Sequence, residues 1–500
     1  IFNEKNYIHL IYISIYIMHI TPTFLKQASS IFDKSEKNKL AKNAVTATKL
    51  DNIIINRNKL QSHNRLFSNK IDVFTKPTDQ KRSGRCWLFA LSNMMRIKMI
   101  QKYKLPPDFE FSNTYLFFYD KLEKCNYFLF LINKFKKEPI NSRMNNILLK
   151  EPLSDGGNWN MILNLVNKYG MIPRNAYNEN YNTENSYFLE DFISNKLRDY
   201  AFGLRSILGD KSSEEFITKC MNEIYRILVI FLGEPPVTFD WEYLSDGKFK
   251  IIPKLTPLHF YKKYVPINLN DLVLLANNPT QNYFKNITIN YFNNMVDGEE
   301  IHYINIPNDI IECVIKKSLD HNDPLWFGCD VGKYMEKNNG ILDIDALDYR
   351  SVFDTDIQLN KANRLLYRIS DVTHAMIFRG YDNKTNQNKC KHKKLTKKKQ
   401  KRKQKSKGKN PKSKSRKQIG GSSLHCKNKI SNKNITKYLV ENSWGKGGAD
   451  ENLVMTKEYF DEYHYIVAVH KKYLPKSVIK VTKQKPIRLE LWDPFGYLLF

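Results

Sequence analysis

The sequence is poor in cysteine, with 7 cysteines among 500 residues, an odd number scattered along the chain. A secreted disulfide scaffold carries a much denser and usually even set, so the sequence excludes that class of protein. The simplest interpretation is a chain that folds in a reducing compartment, and we expect a cytoplasmic protein.

The sequence also lacks a long hydrophobic run. Its most apolar stretch near the start, Ile8 to Ile20, reads IHLIYISIYIMHI. This stretch is shorter than the roughly 18 residues that a membrane span needs, so no membrane partner is predicted. A signal-peptide core remains an alternative, although no strongly basic region precedes the stretch and no clear cleavage site follows it.

No internal repeat is visible, which excludes a solenoid or another repeat array. Hydrophobic residues make up 42% of the chain and aromatic residues 13%. This is enough apolar side chain to form a large buried core, so the chain is not disordered throughout. The length allows either several domains or one large fold with insertions.

Acidic residues are absent from one basic segment, residues 389–417, which contains 17 Lys or Arg. The formal net charge of the whole chain is +29, so the remainder carries an ordinary +12. The segment is almost free of apolar residues and has strand-like sequence on both sides, which predicts a solvated insertion within a fold.

Three interpretations of this insertion stay open. The first is a tolerated low-complexity insert, and the second is a polybasic element for nucleic-acid binding or nuclear import. The third is a zinc site, although the spacing of its four candidate ligands is unusual for zinc. Those four residues are Cys390, His392, His425 and Cys426.

Helical patterns come first along the chain and strand-like patterns come later. Helices are predicted at 86–104, 118–135, 159–169 and 191–232, and strands at 324–331, 373–381 and 437–440. This order indicates an α+β fold with an antiparallel sheet rather than repeated βαβ units.

Cys86 stands at the predicted start of the first helix. The positive end of the helix dipole and the free backbone amides favour a thiolate there. Gly84 allows a tight turn before Cys86, and Gln80 can direct an amide donor to the same side. This is the arrangement expected of a nucleophile with an oxyanion hole, whose second donor is the amide of Cys86.

Two further residues complete a candidate catalytic set. His374 lies on a predicted strand, and Asn442 precedes Ser443 and Trp444. Each of the three residues has a simpler structural explanation when taken alone: a buried cysteine, a core histidine and a turn asparagine. Together, the order Gln, Cys, His, Asn is that of papain-like cysteine peptidases.

Cys86 and His374 are 288 positions apart, about twice the usual papain spacing of ~130 to 150. The chain resembles the bleomycin hydrolase and aminopeptidase C family, which carries a large helical excursion between nucleophile and base. The resemblance extends from about residue 70 to the end, apart from the basic insertion. It rests on SGRCWLFA (83–90), FEFSNTYLFFYDKLEKCNYFL (109–129), DGGNWNMILNLVNKYGMIP (155–173), GEPPVTFDWEY (233–243), LTPLHFYKKYV (255–265), DPLWFGCDVGK (323–333), THAMIF (373–378), VENSWG (440–445) and QKPIRLELWDPFG (484–496).

The resemblance implies a role for each candidate residue. Cys86 would be the nucleophile, His374 its base, Asn442 the residue that orients His374, and Gln80 the oxyanion donor. Gly156 and Gly157 resemble the glycine edge along which the substrate backbone lies, although a cap of the following helix explains them equally well. Neither a cofactor nor a metal is implied.

The family also implies a broad-specificity aminopeptidase that acts on peptides, assembled as a homohexamer. Its C-terminal arm, here residues 490–500, would restrict cleavage to the substrate N-terminus. The implied organisation is an N-terminal segment (1–69), a peptidase body (70–382 and 437–500) with a helical insertion at roughly 115–320, and the Lys-rich insertion (383–436).

Overall fold

The computed structural model of the protein describes residues 19–383, 435–445 and 452–496. The chain divides into two compact units. Within the described residues, the smaller unit comprises 19–64, 334–336 and 344–358. Its described elements are the strand Met335–Glu336 and the helices Pro22–Asp33, Glu36–Ala47, Leu50–Ile53, Arg57–Gln61 and Tyr349–Phe353.

Polar caps and ion pairs stabilise the helices of the smaller unit. The Thr21 hydroxyl accepts from the Phe24 amide at 3.1 Å, directly before a proline that begins the first helix. Pro is well suited to a first helical position because it has no N–H to satisfy. Lys37 pairs with Asp354 at 3.0 Å and so ties two helices of this unit together.

The larger unit combines helices with one mixed sheet. Its α-helices are Cys86–Tyr103, Asn113–Lys134, Arg143–Lys150, Trp159–Tyr169, Tyr181–Glu184, Tyr187–Ser206, Asp210–Leu232, Pro257–Tyr264, Asn308–Asp320, Lys361–Leu366, Lys457–Tyr463 and Lys476–Thr482. Short 3₁₀ helices occur at Arg174–Ala176, Leu269–Asp271 and Lys471–Tyr473.

The strands of this sheet do not follow the order of the sequence. From one side to the other they are Ile487–Leu489, Lys285–Ile289, Tyr303–Asn305, Leu272–Ala276, His464–His470, Leu325–Cys329, His374–Asn383, Ile435–Glu441, Asn452–Thr456 and Ile341–Leu342. Asn69–Lys70 adds a short antiparallel pairing to His374–Asn383. A separate hairpin pairs Phe239–Ser245 with Lys248–Leu255.

The central strands are antiparallel, as predicted. His374–Asn383 pairs on one side with Leu325–Cys329, where His374 faces Cys329. On the other side it pairs with Ile435–Glu441, where Ile377 faces Glu441. Leu325–Cys329 and most of His374–Asn383 are buried on both faces, which explains the apolar runs LWFGC (325–329) and AMIF (375–378). Toward the two ends of the sheet some neighbouring pairs are parallel.

The predicted helices occur, with two differences in their boundaries. The helix predicted from residue 118 begins earlier, at Asn113, because the Ser112 hydroxyl caps it by accepting from the Tyr115 amide at 3.1 Å. The stretch predicted as helical over 191–232 forms two helices, which end at Ser206 and begin again at Asp210. Gly209 lies between them with φ +90°, a backbone conformation that favours glycine.

Several predictions fall outside the described residues. They include the apolar stretch up to residue 18, the basic segment 389–417, and the four candidate zinc ligands within and beyond it. Among the helices of the described ranges, none combines the length and the apolar character that a membrane crossing requires.

Candidate active site

Cys86 is the first residue of the helix Cys86–Tyr103 and is 7% exposed. Burial raises the pKa of its thiol to about 11, while backbone hydrogen bonds from Ala375, Trp87 and Cys86 itself act in the opposite direction. The amides at the helix start therefore favour the thiolate, as the sequence predicts. Burial has the larger effect, because it removes the water that would solvate the charge.

His374 begins the strand His374–Asn383 and is 4% exposed. Its Nε2 lies 2.8 Å from Oδ1 of Asn442. Burial lowers the pKa of His374 to about 4, and the hydrogen bond with Asn442 partly offsets this effect. The Trp444 ring lies beside the imidazole at 4.9 Å between centroids and limits the access of water to that hydrogen bond.

The segment that carries Gln80 is bonded to the segment that follows Asn442. The backbone N–H of Gln80 donates to the Ser443 carbonyl at 2.9 Å, and the backbone N–H of Gly445 donates to the Thr78 carbonyl at 3.0 Å. Gly445 has φ +68°, and a Cβ there would lie 2.4 Å from Asp79 Oδ2. A glycine is therefore required for these two segments to approach so closely.

The Gln80 side chain folds back toward the loop before Cys86. Its Nε2 donates to the Ser83 carbonyl at 2.7 Å, and the Ser83 hydroxyl donates to the Gln80 carbonyl at 2.6 Å. The second proton of the amide group is available for another acceptor. The side chain is thus held beside the cysteine by the loop itself.

A cleft of about 540 Å³ brings the predicted residues together. Gln80, Cys86, His374 and Gly156 all line it. Asn442 lies behind His374, to which it is hydrogen-bonded. The sequence prediction placed these residues together, and the structure brings them to one cleft.

The two glycines have different surroundings. Gly156 lines the cleft, whereas a Cβ on Gly157 would lie 2.5 Å from the indole of Trp87. Gly157 is therefore needed for close packing against Trp87. The two glycines do not cap the next helix. Asn158 is its N-cap residue, and the Asn158 Oδ1 accepts from the Trp159 backbone N–H at 2.7 Å.

A buried charge network beneath the cleft was not predicted from the sequence. Asp155 accepts from the Gly84 amide at 2.9 Å and pairs with Lys121 at 2.7 Å. Lys121 also pairs with Glu190, which lines the cleft, at 2.8 Å. Lys121 and the hydrogen bonds to Asp155 hold the pKa of that carboxyl well below its usual range, although burial opposes this. Burial raises the pKa of Glu190 to about 7.

A second buried charge lies directly beside the cysteine. Arg85 has no exposed surface and pairs with Glu179 at 2.8 Å. Lys121 stands in a charged stretch of its helix, residues 120–124, and Arg85 follows Gly84, so the local sequence does not signal that either residue is buried. The sequence does not reveal the partner of such a residue, because the partner comes from a distant element.

Comparisons with known proteins agree with this arrangement. A family model described as the peptidase C1-like family matches residues 19–401 and 422–496. The bleomycin hydrolase of Homo sapiens is 35% identical over 473 residues, which cover 92% of this chain and 94% of that protein. A Saccharomyces cerevisiae protein named cysteine proteinase 1, mitochondrial, is 34% identical over 502 residues, which cover 95% and 94%.

A solved structure extends the similarity to the fold. The crystal structure of PepW from Lactobacillus rhamnosis superimposes with a TM-score of 0.83 at 32% identity, covering 96% of this chain and 99% of that one. These similarities support the peptidase interpretation, and none of them supports the nucleic-acid alternative. The chain belongs to the peptidase C1-like family and is a cysteine aminopeptidase of the bleomycin hydrolase type.

Proposed function

We propose that Cys86, His374 and Asn442 carry out the peptidase reaction with Gln80. The observation that carries this proposal is the 2.8 Å contact between His374 Nε2 and Asn442 Oδ1 at a cleft that Cys86 and His374 both line. With Nε2 donating to Asn442, Nδ1 is the ring nitrogen that remains for the thiol.

The reaction begins with proton transfer from the Cys86 thiol to His374. Burial disfavours the charged form of each group separately, but the thiolate and imidazolium form together and stabilise one another. The thiolate then attacks the peptide carbonyl, and Gln80 and the Cys86 amide donate to the oxyanion. His374 returns the proton to the leaving amine, and water then releases the acyl group from the sulfur.

The decisive experiment compares the hydrolysis of a fluorogenic aminoacyl amide by the wild type and by Cys86→Ala. We expect the variant to lose at least roughly 1,000-fold in rate, since the nucleophile is removed. Cys220→Ala is the matched control, because Cys220 is also buried but lies on the helix Asp210–Leu232 and does not line the cleft. Equal rates for the wild type and Cys86→Ala would disprove the assigned roles.

We propose that Gly156 forms the edge along which the substrate backbone lies and that the C-terminal arm limits the cleft to free N-termini. The last described part of the arm is anchored in the larger unit, with Leu491 and Phe495 each 1% exposed. Leu491 lines a second cavity together with Ser154 and Gly156, which also line the cleft. The arm therefore runs past the wall that we assign to substrate binding.

A homohexamer is the assembly that we propose. Two helices of the larger unit, Tyr187–Ser206 and Asp210–Leu232, expose large apolar side chains that a partner could cover. Those that are more than half exposed are Tyr187, Phe188, Phe202 and Ile230. Sedimentation equilibrium of the full chain should give six times the 59.0 kDa chain mass, and a monomer mass would reject the assembly.

We also propose a cytoplasmic location. The cysteines of the described residues, Cys86, Cys125, Cys220, Cys313 and Cys329, form no disulfide, as is usual in a reducing compartment. Fractionation with an antibody against the chain tests this location. Recovery in the mitochondrial fraction, as the name of the yeast relative would suggest, would contradict it.

A further inference from the structure

Three buried charged residues meet behind the candidate active site. Glu441 accepts from Arg96 Nη2 at 2.8 Å through one carboxylate oxygen and from Arg379 Nη1 at 2.7 Å through the other. Arg96 is 1% exposed, Glu441 3% and Arg379 7%. We call these three residues the charge triad. Both carboxylate oxygens are in use, so Glu441 bridges the two arginines.

Each member of the charge triad lies on an element that carries, or directly precedes, one residue of the proposed catalytic set. Arg96 is on the helix that begins at Cys86. Arg379 is on the strand that begins at His374. Glu441 is the last residue of the strand Ile435–Glu441, so it directly precedes Asn442. A single carboxylate therefore connects the three elements whose relative positions determine the site.

The strand that carries Arg379 is irregular at that residue. Its pairing with the neighbouring strand shifts between Phe378, which faces Val440, and Gly380, which faces Leu439. Arg379 is thus the additional residue of a β-bulge. Bulges commonly redirect a side chain close to an active site, and this one directs Arg379 to Glu441.

Arg379 also contacts the segment that leads to Gln80. Its Nη1 donates to the Thr75 hydroxyl at 3.1 Å, and its Nη2 donates to the backbone carbonyl of Val73. Thr75 lies five positions before Gln80, whose backbone N–H donates to the carbonyl of Ser443. The charge triad therefore also holds the segment of the proposed oxyanion donor.

The charge triad is a costly way to stabilise a fold. Two arginines share one carboxylate, which leaves an excess positive charge in the interior. Within the described residues, Arg96 Nε and Nη1 and Arg379 Nε have no hydrogen-bond acceptor. Buried ion clusters can often be replaced by apolar residues without loss of stability, so stability alone does not explain the charge triad.

We propose that Glu441 is a positioning residue for the peptidase reaction, which bridges Arg96 and Arg379 and so holds Asn442, His374 and Cys86 in reactive alignment. It acts through these residues and does not contact the substrate. The inference rests on the roles proposed above for Cys86, His374 and Asn442.

Glu441→Gln tests this inference, because it preserves the shape of the side chain and removes its charge. We expect kcat per titrated active site to fall by roughly 10- to 100-fold, since small displacements of reacting groups have effects of this size, with KM changed by less than about two-fold. Glu123→Gln is the matched control. Glu123 is 6% exposed and pairs with Lys168 at 2.9 Å, but it does not line the cleft.

The rate of alkylation by iodoacetamide gives a second measurement that a purely structural role would not change. If Asn442 moves away from His374, the imidazolium loses its acceptor and the thiolate forms less readily. Glu441→Gln should therefore react roughly five-fold or more slowly than the wild type at pH 7, whereas folded Glu123→Gln should react at the wild-type rate. Equal thermal destabilisation of both variants with wild-type kcat and alkylation in each would overturn the inference.

Two variants of Arg96 test the inference if Glu441→Gln does not fold. Arg96→Lys keeps a cation that can reach Glu441 and should retain kcat within about three-fold, whereas Arg96→Met should lose roughly ten-fold or more. Wild-type kcat in Arg96→Met would reject a positioning role. An active Cys86→Ala variant would instead reject the proposed function. The two failures are therefore distinguishable.

Discussion

We expect the pH dependence of this peptidase to be set largely by the imidazole of His374. Its burial lowers its pKa to about 4, and the Asn442 amide raises the pKa by accepting from Nε2. The charged form of His374 is therefore supported by a neutral acceptor within a site that otherwise disfavours charge. The reactive thiolate and imidazolium pair should respond to any change of that acceptor.

Asn442→Ala should lower kcat/KM by roughly ten-fold or more, because the imidazolium loses its acceptor and its pKa falls further. The alkaline limit of the kcat/KM profile, at which the imidazolium of the pair loses its proton, should then shift to lower pH. Asn442→Asp is the matched variant with the opposite expectation, because a carboxylate raises the pKa of a neighbouring imidazolium. If both variants kept the wild-type pH limits, Asn442 would not act through His374.

Glu190 should make the stability of the fold depend on pH. Burial raises the pKa of this carboxyl to about 7 in the folded protein, from its ordinary value of 4.5. Its stabilising contribution is complete below pH 4.5 and is lost as the pH rises through 7, because ionisation is easier in the unfolded chain. Relative to Glu190→Gln, the wild type should therefore lose roughly 1–3 kcal/mol of unfolding free energy between pH 5 and pH 8.

Urea unfolding of the wild type and Glu190→Gln at both pH values measures this difference directly. Other groups that titrate in this range, such as Asp371 with a pKa raised by burial to about 6, are common to both proteins and cancel. A difference in unfolding free energy that does not change with pH would show that Glu190 is not the group responsible.

At the scale of helices and strands, local sequence predicted most elements near the site. The helix Cys86–Tyr103 was predicted at 86–104 and the helix Trp159–Tyr169 at the observed bounds. Periodicity and stop signals such as Gly170 act locally, so they are visible in one sequence. The break at residues 207–209 was missed, because apolar positions continue on both sides of it.

The sequence did not predict which strands and helices lie next to one another. The strand Leu272–Ala276 lies next to His464–His470, although about 190 positions separate them in the sequence. The charge triad and the network around Lys121 also depend on partners from distant elements. A charged residue in an apolar run, such as Arg96 among Met94, Met95 and Ile97, indicates that a partner exists but does not identify it.

The strands on either side of the Lys-rich insertion suggest that a much shorter connection would suffice. Asn383 and Ile435 face each other as antiparallel partners, so the chain leaves and re-enters the sheet at neighbouring positions. Antiparallel partners can be joined by a turn of two to five residues. Replacing residues 384–434 with Asn-Gly-Lys-Gly should leave kcat/KM within about two-fold of the wild type, because the strands are closed by their own pairing.

Hydrolysis of the fluorogenic aminoacyl amide and the thermal midpoint check this replacement. The matched control is a scrambled insertion of the same composition, which should behave like the wild type in both measurements. A large loss of kcat/KM in the shortened variant alone would show that the insertion contributes to catalysis.

For the whole molecule, the proposed restriction to N-termini depends on the end of the chain. The arm and the strand directly before it are held by several contacts that precede residue 497. Ile487–Leu489 pairs in parallel with Lys285–Ile289, and the Trp492 carbonyl accepts from Arg368 at 2.7 Å. The Phe495 ring packs edge to face against Tyr303 at 4.8 Å between centroids. A chain that ends at Gly496 should therefore fold normally.

Truncation after Gly496 should change which bonds are cleaved while leaving the reaction itself intact. We expect the full chain to leave an N-acetylated peptide amide intact. The truncated chain should cleave it, because the blocked end is no longer excluded from the cleft. Hydrolysis of the free aminoacyl amide should stay within about five-fold, since Cys86, His374 and Asn442 are unchanged. The two substrates are compared on variants of equal assembly mass and thermal midpoint. An N-acetylated substrate that stays intact with the truncated chain would show that the residues after Gly496 do not impose the restriction.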